Sequence, residues 1–160
     1  MNTDSEVDVR FSRRQRSLKL KRGEVLFEVA KNAHRPFIVQ SGDRRVRAVG
    51  TVFEVAREQG DLKVTLLEGK ITVSRNSVVP TKKPEAALNP GQQWSAAGRR
   101  VVQLDPTSLE QSTAWLRRRV VLADTPLSQA VAEMNRYSHV PITVDAAAGA
   151  KHVSGVFAAD

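Results

Sequence analysis

The 160-residue sequence contains no cysteine, which excludes disulfides and thiolate chemistry and fits any redox compartment. Aromatic side chains make up only 5%, so extended stacking platforms for bases or sugars are not available. No apolar run approaches the roughly 18–20 residues that a membrane-spanning helix requires. The first residues, Met1-Asn2-Thr3-Asp4-Ser5-Glu6, are polar and acidic and lack a signal-peptide core. A chain of this kind working outside the cytoplasm is therefore expected to be a piece of something longer. Catalytic signatures are missing too: there is no G-x-S-x-G elbow, phosphate-binding loop, H-E-x-x-H or dinucleotide fingerprint. His34, His139 and His152 have no ligand spacing and read as exposed histidines, so neither metal nor cofactor is expected.

What is present is an ordinary globular balance, 41% hydrophobic and 26% charged, in a length that suits one domain or two small ones. The net charge of +8 invites a nucleic-acid reading, but it is unevenly spread. Residues 1–75 have a balance of +6, residues 76–123 of +4 and residues 124–160 of −2. Arginines cluster at 13, 14 and 16, at 44, 45 and 47, at 99 and 100, and at 117–119. These clusters lie at turns or alternate with apolar residues, without interleaved aromatics. They read as solvated surface or as a contact for an acidic protein partner, not as a nucleic-acid interface.

From Val7 to about Leu104 the hydrophobic period is two. Val25, Phe27 and Val29 alternate with polar neighbours, as do Phe53 and Val55, then Leu62, Val64 and Leu66. That pattern predicts an all-β portion over residues 1–104. It repeats internally. Arg22-Gly23-Glu24-Val25-Leu26-Phe27-Glu28-Val29-Ala30 is echoed by Gly50-Thr51-Val52-Phe53-Glu54-Val55-Ala56, by Glu68-Gly69-Lys70-Ile71-Thr72-Val73 and by Pro90-Gly91-Gln92-Gln93-Trp94. The glycine spacings of 27, 19 and 22 leave two architectures open, an irregular β-solenoid or a sandwich with glycine at its turns. Alternation places Glu28 and Glu54 on the solvent side of their strands. Residues 75–90, with Pro80, Lys82, Pro84 and Pro90, predict an exposed loop.

After Asp105-Pro106 the period changes, and residues 105–160 read as a small α/β unit. A short helix through Leu109, Ala114, Trp115 and Leu116 ends near Arg117–Arg119, followed by a strand at Val120–Leu122. Thr125 as N-cap and Pro126 at the first helical position open an amphipathic helix through Leu127, Ala130, Val131, Met134 and Tyr137. Strands at Pro141–Val144 and Val153–Phe157 follow, and a unit of three strands and one helix, with an uncovered side, is expected to be incomplete or to lean on the β portion.

In order along nearly the whole chain, several segments resemble FecR/PupR-type transmembrane anti-sigma regulators. They are Arg22–Ala30 with Arg35-Pro36-Phe37-Ile38-Val39, Val49–Val55, Leu67–Val73 and Leu88–Gln93. Ala114-Trp115, Asp124-Thr125-Pro126-Leu127, Met134-Asn135-Arg136-Tyr137 and Val153–Phe157 are similar to the family's C-terminal unit, itself like the short secretin-and-TonB N-terminal (STN) domain. The resemblance implies a periplasmic signalling portion of a single-pass inner-membrane protein. Its expected partner is the N-terminal signalling domain of a TonB-dependent outer-membrane transporter, commonly for ferric siderophores. A sigma factor would be bound only by a cytoplasmic domain that is not in this chain, and the membrane met only through a missing helix. Partner-binding candidates are Trp115, Arg117, Arg118, Ile142, Val144, Val153 and Val156, with the strands at 141–144 and 153–157 as edges for recognition. The resemblance also singles out Gly50-Thr51, a bond at which some relatives cleave themselves. The competing class is a carbohydrate-binding or hydrolase module on a β-solenoid, which the absent aromatic platform and convergent carboxylates disfavour.

Overall fold

A computed structural model describes residues 1–58, 60–76 and 83–159. Two compact units divide the chain, Met1–Gln103 and Leu104–Asp160.

The first unit contains β1 (Glu6–Phe11), β2 (Arg16–Val29), β3 (Phe37–Ser41), β4 (Arg44–Ala48), β5 (Thr51–Glu58), β6 (Asp61–Glu68), β7 (Ile71–Arg75), β8 (Ala86–Leu88), β9 (Gln92–Ser95) and β10 (Arg100–Gln103). They form one sheet in the order β10-β9-β6-β5-β2-β3-β4-β7-β8, with β1 added to β2. Every pair is antiparallel except β2 with β3. The long β2 serves two neighbourhoods: Arg16–Lys19 pair with β3, and Gly23–Val29 pair with β5. Of the two architectures the sequence leaves open, the connections are thus those of the antiparallel one. The two FEVA copies do not stack as coils; they lie side by side, with Phe27 directly opposite Phe53.

Period-two side chains from all parts of this sheet meet in one core, as the sequence predicts. Phe27, Phe37 and Phe53 form an aromatic trio with ring centroids 5.3–6.4 Å apart. Val39, Val55, Val64 and Val73 are wholly buried around them. Trp94 on β9 lies 5.8 Å from the guanidinium of Arg44 on β4, although four strands lie between them in the sheet order. The sheet therefore curls until its two halves face each other across the core.

Some expectations change. Arg44 is not solvated surface: it shares the inward face of β4 with Val46 and Ala48 and is 5% exposed. Its charge is met by Asp43 and by Glu85, whose Oε2 lies 2.8 Å from the Arg44 Nε. Glu54 is also buried, at 3%, because its outward-facing row is flanked by Leu26, Thr65 and Gln93 on neighbouring strands. Within the predicted 75–90 loop, Ala86–Leu88 pair with β7 as β8, a strand too short to show a period. Pro80 and Lys82 lie outside the described residues. Asp61 ties two turns together. Burial pushes its carboxyl up, but donors from Ala97 N–H, Leu62 N–H and the Ser95 hydroxyl outweigh that and hold it below the usual carboxylate range.

The second unit contains α1 (Pro106–Thr113), a 3-10 turn (Ala114–Arg117), β11 (Arg119–Pro126), α2 (Leu127–Met134), α3 (Ala146–Gly149) and β12 (His152–Ala158). Asp105 caps α1 by accepting from the Ser108 N–H, and Pro106 occupies the first turn. β11 and β12 pair antiparallel, with a bulge at Ala123–Asp124. The apolar face of α2 covers this ribbon: Leu127, Ala130 and Met134, with Tyr137 from the turn that follows, pack with Val120, Leu122 and Val153. Thr125 is not the N-cap of α2. It belongs to β11 opposite Val153, and its hydroxyl bonds the Ala123 backbone, while Pro126 takes the cap position. The helix stops at Met134, and Tyr137 N–H reaches back to the Met134 carbonyl in a turn.

Pro141–Val144 is not a strand. Among the described residues no neighbouring strand supplies its hydrogen bonds; instead the Asn135 carboxamide takes Ile142 N–H at 2.7 Å and donates to Ile142 O at 2.8 Å. One side chain thereby imitates a strand partner at a single residue. The short α3 that follows, capped by Asp145 through Ala148 N–H, has no counterpart in the sequence reading.

Candidate functional site

Two places in the molecule carry the sequence-derived candidates. The first is where β5 begins. Gly50, at φ +67°, turns the chain out of β4, and Thr51 enters the sheet opposite Val29. Thr51 is 2% exposed, and its Oγ1 is buried without a hydrogen-bond partner among the described residues. A buried hydroxyl normally finds a partner, so an orphan marks a place that requires explanation. Beside it lies a cleft of about 460 Å³ lined by Glu28, Val29, Ala30, Gly50, Thr51, Val52 and Glu68. Glu28 and Glu68 are exposed carboxylates on this lining. Gly69 closes the other side: a Cβ there would stand 2.8 Å from both the Gly50 carbonyl oxygen and the Thr51 Cγ2. Gly69 thus leaves no room for a side chain beside the Gly50-Thr51 peptide.

Gly50 and Thr51 were legible in the sequence. Gly69, Glu28 and Glu68 were legible only as members of the repeat, because their meeting depends on the pairing of β2, β5 and the turn after β6.

The second place is the C-terminal unit. Trp115 sits half-buried in the 3-10 turn, and Arg117 ends that turn exposed. Arg118 is exposed and left-handed, at φ 53°, where the chain swings into β11. β11 and β12 pair only with one another, so each has an unpaired outer edge among the described residues. On β12, Val153 turns into the unit's core while Val156 is 60% exposed. Ile142 is 42% exposed and Val144 half-buried, on the extended segment that Asn135 holds. The candidates therefore fall into two groups: Trp115, Arg117 and Arg118 at the entry to β11, and Ile142 with Val144 after α2. Val156 and Phe157, the latter 38% exposed, are the apolar side chains offered by the ribbon itself. The sequence did not reveal Asn135 as the residue that fixes this segment, because a clip from a side chain to a backbone seven residues away leaves no periodic trace.

Neither place resembles a metal centre: among the described residues no group of three or more His, Asp or Glu side chains could hold an ion. Among the same residues no helix is long and apolar enough to cross a membrane.

Comparison with known proteins agrees with the resemblance drawn from the sequence. Residues 1–72 match the sequence model of the family described as FecR protein. Two crystal structures of a candidate anti-sigma factor from Parabacteroides distasonis ATCC 8503, at 1.65 and 2.50 Å resolution, have the same fold. Their TM-scores are 0.72 and 0.74, at 20% identity, and the match covers 100% of this chain and 75% of each of those. No curated protein matches.

Proposed function

We propose, with a FecR-type segment over residues 1–72 as the premise, that the chain is the signal-receiving portion of an anti-sigma regulator. The family match and the shared fold support a regulatory role of the anti-sigma type. The finer reading is that the chain lies in the periplasm and meets the N-terminal signalling domain of a TonB-dependent outer-membrane transporter. It thereby controls an extracytoplasmic-function sigma factor through parts of the protein outside these residues. In this reading the second unit is the STN-like module and the docking face. The observation that carries it is the ribbon of β11 and β12, which among the described residues has unpaired edges and shows Val156 to solvent. An open edge accepts an added strand through backbone hydrogen bonds, with exposed apolar side chains supplying selectivity. Pull-down against a panel of purified transporter signalling domains is expected to retain one partner, and Val156→Arg should reduce its retention at least tenfold. Retention of none of them, together with binding on a glycan array, would instead favour a carbohydrate-binding module.

The orphan hydroxyl of Thr51 supports a second event, cleavage of the chain at Gly50-Thr51. The Thr51 Oγ attacks the Gly50 carbonyl carbon, the C–N bond breaks, and the nitrogen takes up the hydroxyl proton. The resulting ester is opened by water, which leaves a Gly50 carboxylate and restores the Thr51 hydroxyl. Mass spectrometry after prolonged incubation should find two fragments meeting at this bond, lost in Thr51→Ala and retained in Thr51→Ser. An intact chain throughout would contradict this reading.

A further inference from the structure

We propose that the tip of the β1–β2 hairpin, with the 30–36 loop packed beside it, is a docking surface for an anionic lipid bilayer. Residues 9–16 and 30–36 contain Arg10, Arg13, Arg14, Arg16, Lys31 and Arg35 and no acidic residue. The nearest acid on the hairpin, Asp8, is already engaged by Lys21 at 3.2 Å. The positive charge of the tip is therefore uncompensated from within.

The two segments form one body. Arg16 N–H donates to Pro36 O at 3.0 Å, and its guanidinium reaches Ala30 O and Arg35 O, each at 3.2 Å. Arg35 Nε donates to Ser12 O at 2.7 Å, and its guanidinium carbon lies 5.8 Å from the centre of the Phe11 ring. The turn is also fixed. Ser12 Oγ accepts from Arg14 N–H and Gln15 N–H, and Ser12 N–H donates to Gln15 O. Arg13 and Arg14 are thus displayed to solvent from an ordered turn.

The same tip is apolar on one side. Among the described residues β1 pairs with β2 alone, and its period-two row begins with Val7, which packs on the core. That row continues past the core as Val9, 60% exposed, and Phe11, 56% exposed. An acidic protein or a nucleic acid would explain the arginines but not the adjoining apolar row, and one isolated phenylalanine is no stacking platform. A bilayer with acidic headgroups offers both what the arginines need and an apolar layer for Phe11 and Val9. Elsewhere on this unit the exposed cations Lys19, Arg45 and Arg47 have no such exposed apolar row on their own strands, and at β10, where Val101 and Val102 are exposed, only Arg99 and Arg100 adjoin them, against six cations at the tip.

Flotation of the full chain with vesicles tests this. The chain should float with an equal mixture of phosphatidylglycerol and phosphatidylethanolamine and not with phosphatidylcholine alone. Arg13→Glu with Arg14→Glu should weaken partition more than tenfold, since each arginine near such a surface is worth about fivefold. Phe11→Ser should weaken it severalfold at unchanged net charge, with circular dichroism showing the β signal intact. Arg45→Glu with Arg47→Glu, the same charge change placed elsewhere, should have the smaller effect. Equal losses for the two double variants would overturn the proposal by reducing it to the net charge of the chain. So would a Phe11→Ser protein that floats like the parent, or polyglutamate displacing the chain from vesicles as readily as added anionic lipid does.

Discussion

Replacing Gly69 by alanine is expected to destabilise the β-unit by about 3 kcal/mol, roughly twice the cost of the same change at Gly60. The two glycines form a matched pair. Both have φ +86°, so a new Cβ meets the same left-handed backbone penalty at each, of about 1–2 kcal/mol. Their surroundings differ. Among the described residues nothing lies within 4 Å of the Cβ position at Gly60, whereas at Gly69 it would stand 2.8 Å from the Gly50 carbonyl and 3.3 Å from the Thr51 Cα. Those atoms belong to the backbone entering β5, which is paired on both sides and cannot swing away cheaply. Overpacking of this kind adds about 1–3 kcal/mol. Thermal unfolding should therefore show a fall of about 10 °C for Gly69→Ala and about 4 °C for Gly60→Ala. Equal falls would mean that Gly69 does not support the Gly50-Thr51 peptide.

Trp94→Ala is expected to cost about 4 kcal/mol, a large part of the roughly 5–15 kcal/mol that keeps a domain folded. Trp94 is 1% exposed and is among the largest fully buried side chains. Its removal loses the transfer free energy of the indole and leaves a cavity between the two halves of the curled sheet. It also strips the ring from beside the buried Arg44 guanidinium, which then keeps Asp43 and Glu85 but loses its apolar wall. Trp94→Phe should recover more than half of the loss, because a ring remains in the core. Denaturant titration followed by circular dichroism measures both. A loss below about 1 kcal/mol for the alanine variant would contradict closure of the sheet around this residue.

The strands were legible wherever an inward residue alternated with a polar one, as in Val25–Val29 and Leu62–Leu66. Periodicity names a face but not what covers it, which is why buried Glu54 and Arg44 were read as exposed. The repeat was legible as well, but not its meaning. A sequence repeat is the same whether its copies stack or pair, and here β2 pairs antiparallel with β5. Pro141-Ile142-Thr143-Val144 has the composition of a strand, yet strand structure needs a neighbour, and Asn135 supplies hydrogen bonds at only one residue. Gly50 and Thr51 could be named from the chain alone. The close approach of Gly69 to that peptide could not, since it joins residues 18 and 19 positions apart through the sheet.

The central claim is that the second unit receives a protein partner. Amide NMR of the labelled chain, titrated with the captured transporter signalling domain, tests it most directly. The account predicts shifts gathered at residues 115–118, 140–144 and 152–158, with the core strands β5 and β6 unmoved. Shifts confined to residues 7–100 would contradict it.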